Sequence, residues 1–305
     1  MKNVLIFNPH ASKGIKRFSE EKIQKALSDA GIEADLIRTE RAGHAIELAE
    51  TAAREGAERV FVSGGDGSIN EVVNGLINAQ KQGYTGTALG FFPTGRGNDF
   101  CDALGINKNL KHMIDVIVRD HRIRCDIGAA GDGTFEHYFI NGSGFGIESA
   151  INYYAGQSII SGKLSYIYGI VKSVFNDLHV QDALIDLDGK EMNYPFVMFA
   201  AMNGRQEGGG FHLAPKFKLD DGLLDICMVG GNLPSAKLLL TIPHLSKGTL
   251  DYPGILSTQA ASIHVHLEPD KQGLFSQVDG ETIIEHGYDF YSKISPYKLE
   301  IICPE

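Results

Sequence analysis

Short stretches of this chain concentrate glycines and carboxylates at spacings that suit phosphate chemistry. In "VFVSGGDGSINEVVNGL" (60–76), Gly64, Gly65, Asp66, Gly67 and Ser68 separate an apolar run from a helical pattern that sets Val72, Val73, Leu76 and Ile77 on one face. Glycine lets the backbone approach a phosphate closely and take positive φ. The helix that follows offers unpaired N–H groups and a positive dipole end to an anion, and Ser68 is expected to cap it. Asp66 alone would repel the ligand. It makes sense beside Mg²⁺, which reverses the local electrostatics, so the loop suggests a metal-nucleotide rather than a bare phosphate. A second loop, "LGFFPTGRGNDF" (89–100), is shaped by Pro93, Gly95 and Gly97 and sets Asn98 and Asp99 at a helix start. "FNPHASKG" (7–14) is a third polar turn after a strand, and Thr39 ends another strand. A tight strand–helix turn with a capping serine explains any one of these loops. Four strand ends converging on one rim of a parallel sheet point to a ligand.

Two standard fingerprints fail. G-x-G-x-x-G from Gly65 would need glycine where Asn70 stands, and "GQSIISGKLS" (156–165) has Leu164 where a P-loop needs Ser or Thr after lysine. Further along, "KLDDGLL" (218–224) is a sharp acidic turn. One carboxylate with nearby carbonyls suits a hard cation, and a plain β-turn explains the same residues. "QVDGETI" (277–283) places Asp279 and Glu281 two residues apart, either as a hairpin turn or as the general base that a kinase needs beside an acceptor hydroxyl.

The elements that must position these residues follow two patterns. The chain has 305 residues, and at roughly 100–200 residues per domain two domains are expected. Over 1–126, strand-like and helix-like segments alternate ("NVLIF", "RVFV" and "TALGFFP" among the strands), which implies a doubly wound, mostly parallel sheet covered on both faces. Over 127–305, strands separated by Gly, Asp, Asn and Pro turns imply a mainly antiparallel β-sandwich or barrel. One long helical stretch at about 147–176 and a second at 234–246 interrupt it. The two domains are expected to enclose a cleft, and "YKLEIIC" could return to the first. The formal net charge of −10 argues against nucleic-acid binding and against a polybasic lipid clamp. No apolar run reaches the ~18 residues of a spanning helix. "MKNVLIFNPH" reads as a first strand rather than a signal peptide. The cysteines at 101, 125, 227 and 303 are scattered, which suits a reducing cytoplasm. His264 and His266 share a strand face without a third ligand nearby, so the plain reading there is not metal.

"GGDGSINEVVNGL", "PTGRGNDF", "NGRQEGGGFHLAP", "DDGLLD" and "VDGE", in this order, resemble the diacylglycerol kinase catalytic-domain family, soluble bacterial lipid kinases related to sphingosine kinases. The resemblance spans nearly the whole chain. "GGDG" is also shared with NAD kinases and phosphofructokinases; the downstream motifs favour the lipid branch. It implies ATP and Mg²⁺ as cofactors, with Asn8, Pro9, Gly14, Thr39, Gly64, Gly65, Asp66, Gly67, Ser68, Asn70, Thr94, Gly95, Arg96 and Asn98 lining the nucleotide. It implies Asp66, Asp99 and Asp126 in the Mg²⁺–phosphate network. Asp221 with the carbonyls of Lys218 and Leu223 looks like the family's structural Mg²⁺ site. Asp279 and Glu281 look like the base element, with the choice between them open. The implied acceptor is a lipid hydroxyl, diacylglycerol or a relative, reached by transient membrane contact from the cytoplasm; a homodimer is allowed and nucleic acid is not a partner. Three departures stand out: Ser68 where the family usually has Thr, Arg96 where it has Thr, and Gly146 where an acid often sits. Two other readings share the scaffold, an NAD kinase-like enzyme with a soluble acceptor and a non-catalytic nucleotide or lipid sensor.

Overall fold

Apolar runs at the start of the chain become the centre of a parallel sheet. The structure, a computed structural model, describes residues 2–11, 18–95, 97–158, 163–176, 178, 180–208, 210–231, 237, 239–268 and 272–305. It divides into two units, Met1–Ile127 with Pro296–Glu305, and Gly128–Ser295.

In the first unit, β1 (Asn3–Phe7), β2 (Asp35–Arg38), β3 (Arg59–Gly64) and β4 (Ala88–Pro93) pair in parallel in the order β2-β1-β3-β4. The end of β15 (Asp289–Ile302) adds to β4, with Glu300 and Ile301 opposite Ala88 and Leu89. Val4, Leu5, Ile6, Val60, Phe61, Val62, Phe91 and Phe92 are all buried, as strands covered on both faces require. Helix α1 (Glu20–Asp29) starts at Ser19, whose Oγ accepts from Lys22 N, and buries Ile23 and Leu27 one turn apart. Helix α2 (His44–Arg54) has glycine at its N-cap. Glu71 of α3 (Asp66–Lys81) supplies the cap instead, its carboxylate accepting from Gly43 N and Ala45 N at 2.9 and 3.0 Å. The two helices pack so closely that a Cβ at Gly75 would fall on Ile46 O. Short α4 (Asp99–Ala103) and α5 (Leu110–Arg119) follow β4. The strand order reverses between β1 and β3, which makes their C-terminal ends the topological switch point where such sheets bind ligands.

The second unit is antiparallel. The order is β14 (Glu281–Gly287), β13 (Leu274–Val278), β7 (Gly142–Gly146), β9 (Lys190–Met202), β8 (Gln181–Leu187), β12 (Ser262–His266) and the start of β15. β10 (Leu224–Gly230) joins β9 to β11 (Ile255–Ala260), and the end of β5 (Arg122–Gly131) pairs with β6 (Glu136–Phe139). β9 feeds two apolar clusters. Phe196 and Phe199 meet Phe145 and Phe290 on one side, while Val197, Ala200 and Met202 meet Leu213, Cys227 and Val229 on the other. Phe145 stacks on Phe290 at 5.4 Å between ring centroids.

The helical stretch expected over 147–176 is two helices, α6 (Ile147–Gln157) and α7 (Lys163–Asn176), broken where the backbone of Ser158 turns extended. Of the helix expected over 234–246, residues 232–236 and 238 lie outside the described residues. The described remainder is a 3-10 turn at Leu239–Thr241 and α8 (Ile242–Lys247). Among the described residues, no helix is long and apolar enough to cross a membrane.

Phe145 is fully buried and touches three aromatic rings. Phe145→Ala is expected to cost about 3–5 kcal/mol, read as a lower midpoint in urea unfolding followed by tyrosine fluorescence. An unchanged midpoint would show that the second unit's core does not rest on this cluster.

Candidate active site

Each end of the parallel strands in the first unit presents one of the expected polar residues. Leaving β1, Asn8 donates its backbone N–H to Ser63 O at 2.9 Å, which ties the turn across the switch point to β3. Its Nδ2 donates to Ser68 Oγ at 2.8 Å, and its Oδ1 accepts from His10 N. Pro9 is exposed beside it, and Gly14 lies outside the described residues. Thr39, buried at the end of β2, donates its N–H to Phe7 O.

The expected cap at Ser68 is corrected. Helix α3 begins at Asp66 with Gly65 as its cap, so Ser68 sits inside the first turn, where its hydroxyl serves Asn8 instead. Asn70 is buried one turn on and accepts from Asn74 Nδ2.

The loops after β3 and β4 touch backbone to backbone. Thr94 N and Gly95 N both donate to Gly64 O, at 2.9 and 3.1 Å. A Cβ on Gly95 would fall on Gly65 Cα, and one on Gly65 would lie 3.2 Å from Gly95 Cα. Asn98 closes the second loop on itself: its Oδ1 accepts from Gly95 N and its Nδ2 donates to Gly95 O. It is fully buried at φ 65, a left-handed conformation that asparagine tolerates. From there Asn98 N donates to Asp66 Oδ2 at 2.7 Å. Asp66 and Asp99 converge, since a Cβ on Gly97 would lie 2.9 Å from Asp66 Oδ2 and 3.8 Å from Asp99 Oδ2. Arg96, between these groups in sequence, lies outside the described residues. Burial, with the Asp66 charge next in weight, holds the Cys101 thiol well above its ordinary pKa, so it stays protonated.

The resemblance groups Asp126 with Asp66 and Asp99. Asp126 is fully buried on β5, and its Oδ1 lies 2.5 Å from Lys298 Nζ, a partner contributed by the last strand.

In the second unit, Asp279 and Gly280 have φ 46 and 86 and connect β13 to β14 as a two-residue hairpin turn. The Asp279 carboxylate is buried and accepts three backbone N–H bonds, from Ile140 at 3.1 Å, Asn141 at 2.9 Å and Gly142 at 3.0 Å. Its own N–H donates to Gly142 O. Glu281 is exposed at the first position of β14. At the "DDGLL" turn, Asp221 and Lys218 are exposed and Asp221 Oδ1 accepts from Leu223 N at 3.1 Å, around Gly222 at φ 74. Among the described residues, no group of three or more His, Cys, Asp or Glu side chains is placed to hold a metal. His264 and His266 share one carboxylate, Asp289 Oδ1, at 3.4 and 2.8 Å.

Sequence reasoning assigned nothing to Glu148, Glu207 or Gln277. Glu148, near the start of α6, accepts from Gln277 Nε2 at 2.8 Å. Burial pushes its pKa up to about 7. The available signal was an acid inside each of two glycine-rich motifs, "GFGIES" and "NGRQEGGG".

Residues 2–130 match the diacylglycerol kinase catalytic domain, and residues 143–303 match the YegS C-terminal NAD kinase beta sandwich-like domain. A diacylglycerol kinase from Staphylococcus aureus (strain JH9) is 30% identical over 282 residues, covering 91% of this chain and 85% of that protein. A candidate YegS-like lipid kinase from Chromohalobacter salexigens is 37% identical over 190 residues, 61% of this chain and 58% of its relative's length, under two thirds of that protein. The crystal structure of a candidate diacylglycerol kinase from Bacillus anthracis str. Sterne superposes with a TM-score of 0.77 at 25% identity, covering 99% of this chain and 97% of that one. An NAD kinase from Archaeoglobus fulgidus, solved in complex with ATP, shares the fold at a TM-score of 0.53 and 13% identity, over 100% of this chain and 94% of that one. A parallel nucleotide-type sheet followed by an antiparallel sandwich, each with its own family match, makes this chain a phosphotransferase with an alcohol acceptor, and it belongs to the diacylglycerol kinase family.

Proposed function

We propose that the chain transfers the γ-phosphoryl group of ATP to the hydroxyl of a lipid, diacylglycerol or a close relative. The observation that carries the lipid half is an apolar pocket within the second unit. Ile147, Ile151, Val174, Met198, Leu213 and Leu245 are among its walls. An acyl chain buried against such walls gains roughly 25 cal/mol per Å² of apolar surface. A polar, soluble acceptor gains nothing from them, so the pocket favours the lipid reading over the NAD kinase-like one. Reaching a lipid calls for transient contact with a bilayer.

The nucleotide is assigned to the switch-point rim of the first unit: Asn8, Pro9, Thr39, the loop from Gly64 to Asn70, Thr94, Gly95 and Asn98, with Gly14 and Arg96 in the same assignment. The first turn of α3 offers N–H groups and a positive dipole end to the phosphates. Asp66 and Asp99 fit Mg²⁺, because two hard carboxylates face one point above Gly97, where a side chain would intrude. Bound Mg²⁺ supplies charge neutralisation to the phosphates. Asn98 fixes the direction of Asp66 through its N–H. Asp221, with the carbonyls of Lys218 and Leu223, is assigned a structural cation.

The acceptor hydroxyl is assigned to the Asp279–Glu281 turn, which takes or orients its proton. In-line transfer then depends mainly on positioning and on charge placed in advance.

ATP labelled at the γ position, incubated with diacylglycerol, a sphingoid base, ceramide and undecaprenol, is expected to carry label into the organic phase for one of them. Asp66→Ala is expected to lower that rate by about 10²-fold or more. Label confined to the aqueous phase would support a soluble acceptor, and nucleotide binding without turnover on any lipid would support a sensor. Glu281→Gln and Asp279→Asn separate the two carboxylates. Glu281→Gln is expected to leave the melting temperature unchanged. Asp279→Asn is expected to cost about 1–3 kcal/mol, since an amide NH₂ facing Ile140 N leaves a buried donor unmet. The variant that loses turnover identifies the proton acceptor, and wild-type rates in both would remove the turn from the reaction.

A further inference from the structure

We propose that Lys108 is the resident cation of the switch-point rim: it meets the polyphosphate of the nucleotide from beside Gly97, and before the nucleotide arrives it keeps a divalent ion from settling on Asp66 and Asp99 alone. The inference rests on the nucleotide assignment made above. It adds an order of arrival, metal with nucleotide rather than ahead of it.

Charges of both signs meet at Gly97. A Cβ there would lie 2.9 Å from Asp66 Oδ2 and 3.8 Å from Asp99 Oδ2. The Gly97 carbonyl accepts from Lys108 Nζ at 3.2 Å. On the other side of the same peptide, Asn98 N donates to Asp66 Oδ2 at 2.7 Å. One peptide group therefore has an ammonium at its oxygen and a carboxylate at its nitrogen. Both charges polarise it in the same sense, so each hydrogen bond strengthens the other.

The chain delivers this ammonium on a short, fastened loop. Helix α4 is closed at Gly105, whose φ of 76 suits glycine, with Gly105 N donating to Asp102 O at 3.1 Å and Ile106 N to Cys101 O at 2.9 Å. Ile106 is buried. On the other side Asn109 caps α5, its Oδ1 accepting from Lys111 N at 2.9 Å, and its own N–H donates to Asn107 Oδ1 at 3.0 Å. Lys108 stands between these two fastenings and is half-buried. The backbone on either side sets where its side chain starts.

The chemistry gives the two ligands opposite responses. A lysine ammonium is a compact charge with three N–H donors. The bond to Gly97 O can persist while another donor exchanges onto a phosphate oxygen, as suits a point-charge phosphate contact. The same charge repels a divalent ion that approaches the two acids without a nucleotide. A polyphosphate brings enough negative charge to reverse that repulsion, so the metal is accepted together with it. A lysine that only fastened a loop carbonyl would move both ligands in one direction, because loosening the loop harms every contact made by the rim.

The test reads binding by the full chain, with no lipid and no turnover. ADP in EDTA is titrated by calorimetry, and Mn²⁺ without nucleotide is followed by the electron spin resonance of the free ion. Wild type is compared with Lys108→Gln, which keeps a donor and loses the charge, and with Lys108→Arg, which keeps both, each checked for an unaltered melting temperature. Lys108→Gln is expected to bind ADP about 5-fold more weakly and Mn²⁺ about 5-fold more tightly, the size of one partly screened charge interaction. Lys108→Arg is expected to match wild type for both ligands. Weaker binding of both ligands by Lys108→Gln overturns the proposal, and so does unchanged binding of either. Wild type that binds ADP with Mg²⁺ but not in EDTA removes the phosphate contact and overturns it as well. In all these cases the nucleotide assignment stands. Wild type that binds no ADP with or without Mg²⁺ ends that assignment, and this inference with it.

Discussion

Gly65 and Gly95 hold two loops of the first unit closer together than any side chain would allow, and the arrangement of the rim depends on that approach. With the backbones in contact, Gly64 O takes two N–H groups from the second loop. Asn98 can then close its own turn and still aim its N–H at Asp66. The carboxylate is fixed from the neighbouring loop rather than from its own helix. Two loops that arise more than thirty residues apart in the chain behave as one surface because the sheet sets β3 beside β4 in register, Gly64 opposite Pro93. Orientation obtained this way needs no reorganisation when charge arrives, which is the property phosphoryl transfer draws on most.

The second unit applies the same device to a strand. Strand β7 is "GSGFG", three glycines in five residues, and every position is buried. Glycine is a weak strand former, and its use here follows from what occupies the missing side-chain volume. Met202 presses on Gly142 and the Glu148 carboxylate fills the space over Gly144. Phe145, the one large side chain, is spent on the aromatic cluster. The hairpin turn next to this strand is pinned by Asp279, whose carboxylate takes the N–H groups of Ile140, Asn141 and Gly142 just where β7 begins. Backbone N–H groups that would otherwise end unpaired at a strand terminus are thereby satisfied. The acid that the sequence marks as chemical is also a fastening for the strand it sits beside.

The parallel half was largely legible because its signals are local. Apolar runs such as "NVLIF" and "RVFV" end in glycine or asparagine and lead into helices with one apolar face, and the sheet keeps that order. Three kinds of feature escaped. Strand β7 shows no apolar alternation of its own, and its glycines make way for Met202 and Glu148. The helical stretch expected over 147–176 is two helices, and their boundary falls within "GQSIISGKLS". The partners of the acids were invisible, because they lie far away in sequence: Lys298 for Asp126, Asn98 for Asp66, Gln277 for Glu148. Motifs reveal which residue types are present. Pairing across a sheet decides which of them meet a neutral donor, a lysine or an open face.

That distinction sorts the acids of a chain whose formal net charge is −10. Each buried carboxylate must be compensated, and the manner of compensation limits what it can do next. Asp126 has a lysine, with Lys298 Nζ 2.5 Å from its Oδ1. Asp279 has three backbone N–H groups, which steady the charge without cancelling it. Glu148 accepts from Gln277 Nε2 and Ser149 Oγ, so neutral donors compensate it while burial raises its pKa. Asp66 receives the Asn98 N–H, and with Asp99 it faces a common point where glycine leaves space. Lys108 stands at the same loop, its Nζ donating to Gly97 O at 3.2 Å, so these acids lie beside a positive charge of the chain's own.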